Sequence, residues 1–158
     1  AIARTVETIP RATGVAPVGW HTRSAPSPRT RRLLVEHGGF LYDSDAYDDD
    51  LPHFVEVEGR RHLVMPYAFD TNDMHFHQGS QRFRFGAEFA RYTNDAFDWL
   101  LREGEASPAM MSVGLHLRMI GRPGRMAGLE AILAHMRREG AWIARRDAIA
   151  RHWIERFS

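Results

Sequence analysis

The run TRRLLVEHGGFLYDSDAYDDDLP (residues 30–52) changes its hydrophobic period midway. From Thr30 to His37 the pattern is helical, with Leu33 and Leu34 inward, and Gly38-Gly39 supplies a stop. Phe40 to Tyr42 reads as a short strand, and residues 43–52 as an acidic loop. Helix, glycine stop, strand, then polar residues at the strand's C-terminal end is the repeating logic of an α/β fold with a parallel sheet.

The pattern continues in both directions. Upstream, Ile2, Val6 and Ile9 recur at helical spacing over residues 1–13, and Pro17 to Trp20 is a short extended run. Because the helical stripe already runs at Ile2, the chain is expected to start inside something longer. Downstream, residues 54–58 and 63–67 read as a hairpin around Gly59 and Arg60. Residues 70–86 have no clean period and read as a long loop. Phe89, Tyr92, Ala96, Phe97 and Leu100 mark a helix over 87–103, and Met110 to Leu115 reads as a buried parallel strand. Pro123 opens a helix striped by Met126, Leu129, Ile132, Leu133 and Met136. A short strand at Ala141 to Ile143 and a helix from Ala148 to Phe157 complete the reading. No internal repeat or linker divides the chain, so residues 1–158 are expected to form one unit of a domain.

Composition narrows the chemistry. The chain has 158 residues, 44% of them hydrophobic and 26% charged, enough apolar material for a core. It has no cysteine, which excludes disulfides and thiolate zinc sites. All 21 basic residues are arginine, which excludes a catalytic, Schiff-base or phosphate-loop lysine on these residues. The 20 acidic residues leave a net charge of +1, interspersed along the chain, so no nucleic-acid partner is expected. No long apolar run argues for a membrane partner.

Four spots follow short extended runs, where catalytic groups of parallel α/β folds collect. Trp20-His21-Thr22-Arg23 offers an arginine that either orients a carboxylate or lies on the surface. Asp43 and Asp45 begin an acidic run that lacks the glycine and glutamate of a calcium loop; it is a catalytic turn or a solvated one. Asp70 to His77 contains Asn72 and Asp73, and also His75 and His77, which would share one face only on a strand and could then pair on a metal. Leu115-His116 closes an apolar run beside Gly114, where a general acid or base would stand, or a structural histidine.

The wording of these segments adds what spacing does not. Gly19-Trp20, Ser27 to Arg31, Gly38 to Tyr47 and Asp49 to Pro52 resemble the polysaccharide deacetylase (NodB-homology) superfamily. So do Pro66-Tyr67, Asp70 to Met74, Met111 to His116, Gly121 to Arg125, Arg146-Asp147 and Ile149 to Trp153. The resemblance is strongest to the branch of allantoinases and cyclic-imide hydrolases. It implies part of a distorted (β/α) barrel, residues 1–158 being the C-terminal part of a single domain. The family's Asp pair and His-x-x-x-His motif do not occur in these residues.

The resemblance also implies an activity: hydrolysis of linear or cyclic amide C–N bonds, with the segment by itself inactive. The alternatives are a metal-dependent deacetylase of N-acetylated sugars and a non-catalytic carbohydrate- or partner-binding remnant. By resemblance, His116 is the general acid, with Arg23 and Asp43 beside it in the catalytic set. Trp20, Asp45, Asn72, Asp73 and Leu115 face the substrate. Cofactor use stays open: none, or a divalent metal such as zinc held mainly by residues outside this chain. The wording departs from the allantoinase pattern at Thr22 to Pro26 and at His75, where arginine is usual. The expected partner is a small amide, imide or N-acetylated sugar, in a cytoplasmic homo-oligomer, since unpaired barrel strands invite association.

Overall fold

A computed structural model describes residues 1–23, 25–77 and 82–158. The chain packs as two compact units, one of Ala1–Tyr67 with Ala144–Ser158, the other of Ala68–Ile143.

The first unit holds the sheet. Helix α1 (Ile2–Thr13) ends at Gly14, whose φ of 75° lets its N–H reach back to Pro10 O. Strand β1 (Gly19–Trp20) leads through a loop to α2 (Thr30–His37) and then to β2 (Tyr42–Asp43). Strands β3 (His53–Val57) and β4 (Arg60–Val64) form a hairpin, and α6 (Arg146–Phe157) closes the unit. The order is β1-β2-β4-β3, with β1, β2 and β4 parallel and β3 antiparallel to β4. Glu58 and Gly59 make the hairpin turn with φ of 49° and 70°, the paired positive angles that match strand twist. Leu34, Leu63, Val64, Met65 and Ala150 are its buried apolar residues. At Gly19 a β-carbon would lie 2.2 Å from the Tyr42 ring, so only glycine lets that ring cross β1.

The second unit is helical. A single 3-10 turn (Asp73–Phe76) is followed by α3 (Gly86–Glu103), α4 (Leu117–Ile120) and α5 (Pro123–Arg138). Phe76, Phe89, Ala90, Ile120, Ile132 and Met136 form its core. Helices α3 and α5 meet backbone to backbone: a β-carbon on Gly128 would stand 2.3 Å from Gly86 O.

The helices over residues 1–13, 30–37, 87–103 and 123–136 and the hairpin follow the sequence pattern, with bounds shifted by a few residues. Four expectations are corrected. Leu33 is 46% exposed, and only Leu34 of that pair is buried. The long loop of 70–86 contains the 3-10 turn, and its residues 78–81 lie outside the described residues. Met110 to Leu115 is not a strand: it makes one isolated parallel bridge, Gly114 to Asn72, and Leu115 is 45% exposed. An apolar run supplies composition but becomes a strand only with a ladder partner along its length. Ala141 to Ile143 is not a strand either. Its N–H groups go to Met136 O and Ala141 O in tight turns, leaving Trp142 and Ile143 exposed.

Candidate functional site

In the first unit, β2 delivers Asp43 into a buried cage. Its carboxylate accepts from Arg31 Nε at 2.8 Å, Arg31 Nη2 at 3.1 Å, His62 Nε2 at 2.9 Å and the Asp45 N–H at 3.0 Å. Asp43 is fully buried and His62 nearly so. Burial pushes the carboxyl up, but the hydrogen bonds from His62, Arg31 and the Asp45 backbone outweigh it and hold Asp43 well below the usual carboxylate range. Every favourable acceptor direction is taken, so this carboxylate organises the turn rather than reaching a reacting atom. Arg31 also donates to Asp45 O at 3.2 Å.

That turn aims Asp45 at the β1 loop. Asp45 accepts from the Thr22 N–H at 2.8 Å and from Thr22 Oγ1 at 2.5 Å, while Trp20 Nε1 donates to Thr22 Oγ1 at 2.9 Å. His21 Nδ1 donates to Ser44 O at 3.2 Å, and its ring lies 4.8 Å from that of Tyr67. Above these contacts opens a cavity of about 290 Å³ lined by Gly19, Trp20, His21, Tyr42, Ser44, Tyr67 and Arg146. The Ser44 hydroxyl is buried and finds no hydrogen-bond partner among the described residues. Arg146, from the start of α6, donates to Met65 O at 2.7 Å and Pro66 O at 2.9 Å, and burial draws its guanidinium down from its usual value.

In the second unit, Asp73 and His116 make a dyad. His116 Nδ1 lies 2.6 Å from Asp73 Oδ1, and the His116 N–H donates to Asp73 Oδ2 at 2.7 Å. Ile120 N–H donates to the same Oδ2 at 3.1 Å, so Asp73 also fixes the first turn of α4. Asp73 is fully buried, whereas the His116 side chain is 29% exposed. A carboxylate at Nδ1 makes that nitrogen the donor, which leaves Nε2 as the ring atom outside the dyad. The turn itself is set by Asn72, whose side chain accepts from the Met74 N–H at 2.8 Å, and by Thr71 Oγ1 donating to Ser112 O at 2.5 Å.

Of the residues expected at the site, Asp43, Asp45 and Trp20 come together in the first unit, and Asn72, Asp73, Leu115 and His116 in the second. Arg23 is exposed in a bend, with no hydrogen bond or ion pair among the described residues; the arginine that grips Asp43 is Arg31. His62, Tyr67, Ser44 and Arg146 were not singled out as site residues. His62 carried one signal: a histidine two residues before Val64 on a strand shares its face.

The described residues do not by themselves make up a metal-binding set. Among the described residues no three His, Asp or Glu side chains converge. His75 lies in the 3-10 turn rather than on a strand, and its Nε2 donates to Phe69 O at 3.1 Å. No helix among the described residues is long and apolar enough to cross a membrane.

No protein-family model matches the chain. Its relatives are nevertheless clear. A solved structure from Pseudomonas aeruginosa PAO1, assigned as a polysaccharide deacetylase, is 47% identical, with a TM-score of 0.89 over 98% of this chain and 52% of that one. A Schizosaccharomyces pombe protein assigned likewise is 36% identical over 96% of the chain and 52% of its own length. The chain is thus homologous to proteins assigned as polysaccharide deacetylases, and its mixed α/β fold matches theirs over nearly its whole length. Among those homologues is the allantoinase PuuE, 45% identical with a TM-score of 0.90 over 99% of this chain and 52% of that structure. The chain spans about half the length of each.

Proposed function

We propose that the protein hydrolyses non-peptide C–N bonds, with a linear or cyclic amide as substrate, in the manner of an allantoinase or cyclic-imide hydrolase. The reading is supported by likeness to PuuE over nearly the whole chain, and it is carried by one observation, the Asp73–His116 dyad, in which the aspartate is fully buried and the histidine side chain is partly exposed.

Cleaving an amide expels a poor leaving group, so the nitrogen must gain a proton as the bond to carbon breaks. Water adds to the carbonyl carbon and gives up one proton to solvent, the carbonyl oxygen takes the negative charge, and as that oxyanion collapses and the C–N bond breaks, His116 gives a proton from Nε2 to the departing nitrogen. Asp73 holds the imidazole in one tautomer and one orientation and balances the imidazolium. Leu115, exposed beside it, and Asn72 shape the approach. In the first unit, Asp43 is a positioning residue that acts through Asp45, and Trp20 is a wall of the cavity. A polar group entering that cavity would satisfy the Ser44 hydroxyl. Arg23, exposed, is left to meet substrate rather than protein.

We read the chain as the C-terminal part of one deacetylase-type domain of a cytoplasmic homo-oligomer. Turnover is expected of the full-length protein rather than of these 158 residues by themselves. The second reading, deacetylation of N-acetylated sugars, has in its favour the relatives assigned as polysaccharide deacetylases. Full-length protein assayed on allantoin, hydantoins, dihydrouracil and N-acetylglucosamine oligomers separates the two. Turnover of the heterocycles, lost in His116→Ala, is the expected result. Turnover of the oligomers alone would establish the second reading, and normal turnover in His116→Ala would remove the histidine from the chemistry.

A further inference from the structure

The second unit contains a concavity of about 360 Å³ lined by His77, Arg118, Met119, Arg122 and Arg125. Three arginines line it and no acidic residue does. None of the three makes an ion pair among the described residues, although the chain pairs other exposed arginines: Arg11 with Glu7, Arg32 with Glu36, Arg91 with Asp95 and Arg145 with Asp147.

Two further features add to this positive field. Arg125 is already in place: Nη1 donates to Met119 O at 3.0 Å, and the guanidinium carbon sits 4.2 Å over the Phe76 ring centre. A planar group fixed by stacking and one hydrogen bond keeps its remaining donors at little further cost in entropy. The second feature is the N-terminus of α5. This helix of 16 residues starts at Pro123 with no acidic residue in its first turn and no capping side chain. Helix α3 shows the usual remedy: Glu88 in its first turn accepts from the N–H groups of Arg84 and Phe85. The positive end of α5 is left unbalanced beside Arg122 and Arg125, which line the concavity.

We propose that this basin binds a small oxyanion, either the carboxylate of an organic acid or a phosphate group. Both present paired oxygens that match a guanidinium edge, and both are favoured at a helix N-terminus. Met119 supplies an apolar floor on one side, which suits an anion carried on a small organic body. The inference stands apart from the role of His116, because it concerns binding and needs no turnover.

The test is calorimetric titration of the protein with sodium phosphate and, separately, with sodium succinate at constant ionic strength. Saturable binding of at least one is expected, weakened at least tenfold in Arg118→Gln/Arg122→Gln, and unchanged in His116→Ala. The stronger titrant tells which oxyanion the basin prefers. Arg118 and Arg122 are exposed, so the double variant is expected to keep the parent melting temperature without anion. Should it not, Arg118→Glu alone must produce the same loss. Absence of saturable binding to either anion, or binding indifferent to these substitutions, would overturn the proposal.

Discussion

Two buried aspartates each hold a histidine, and the two pairs differ in what they leave over. Asp43 meets His62 inside a cage that also takes Arg31 and a backbone N–H, and both partners are buried. Asp73 meets His116 at a helix start, and the imidazole keeps one edge toward solvent. An Asp–His contact is therefore no signature of chemistry by itself. What decides is whether a nitrogen remains for something outside the protein.

The largest expected effect tests that contrast directly. His116→Ala in the full-length protein should lower kcat by about 10²–10⁴-fold, the usual worth of a placed general acid, with little change in KM. Asp73→Asn should follow it, since the tautomer is then no longer fixed. His62→Ala should do the opposite, lowering the melting temperature while sparing kcat in folded protein. Measuring kcat and melting temperature on all three breaks the comparison if His62 and His116 behave alike.

Next in size is Arg31→Ala, which strips a buried carboxylate of a bidentate partner. A loss of roughly 3–5 kcal/mol is expected, in the range found when one side of a buried ion pair is removed. Denaturant titration measures it. A loss below about 1 kcal/mol, the worth of a surface pair, would show the cage to be slack.

Acid sharpens the same point. The Asp43 carboxyl titrates lower in the folded protein than in the unfolded chain, for which about 4 is the ordinary value. The unfolded state therefore takes up a proton in a window where the folded state does not, and stability rises with pH across it. Asp43's contribution is complete above about pH 4 to 5 and is lost as pH falls toward its folded value. Asp43→Asn should be less stable at neutral pH and show a shallower loss on acidification. Parallel curves for variant and parent would contradict the assignment.

The smallest effect belongs to Asn72→Ala, which removes the acceptor for the Met74 N–H at the start of the 3-10 turn. About 1 kcal/mol is expected, the normal worth of such a cap, with a modest fall in kcat because Asp73 is the next residue. Thermal unfolding and kinetics on one preparation give both numbers.

The elements with a strong local code were legible from the residues alone. Thr30 to His37 carries its own stripe and its own glycine stop, and the hairpin carries alternation plus Gly59. Met110 to Leu115 misled because apolarity reports burial without reporting a ladder, and this run makes a β-bridge at Gly114 alone. At the site, Leu115-His116 and Asn72-Asp73 could be marked from wording, but not their meeting: the dyad spans 43 positions of sequence. Arg31 was hidden for a related reason. It sits on a helix among other arginines, Arg29 and Arg32, and only the approach of β2 distinguishes it.

The positive angles at Glu58 and Gly59 imply a timetable for folding. A two-residue hairpin closes in about 1–10 μs, well before parallel strands separated by long crossovers find one another. Strand β4 is thus ready, in register with β3, when β2 arrives, and the arrival of β2 brings Asp43 onto a His62 already in place. On this view the cage is a latch that shuts late. Pulse-labelled hydrogen exchange should show the β3–β4 amides protected before those of Ser44 and Asp45, and simultaneous protection would mean that the sheet condenses in one step.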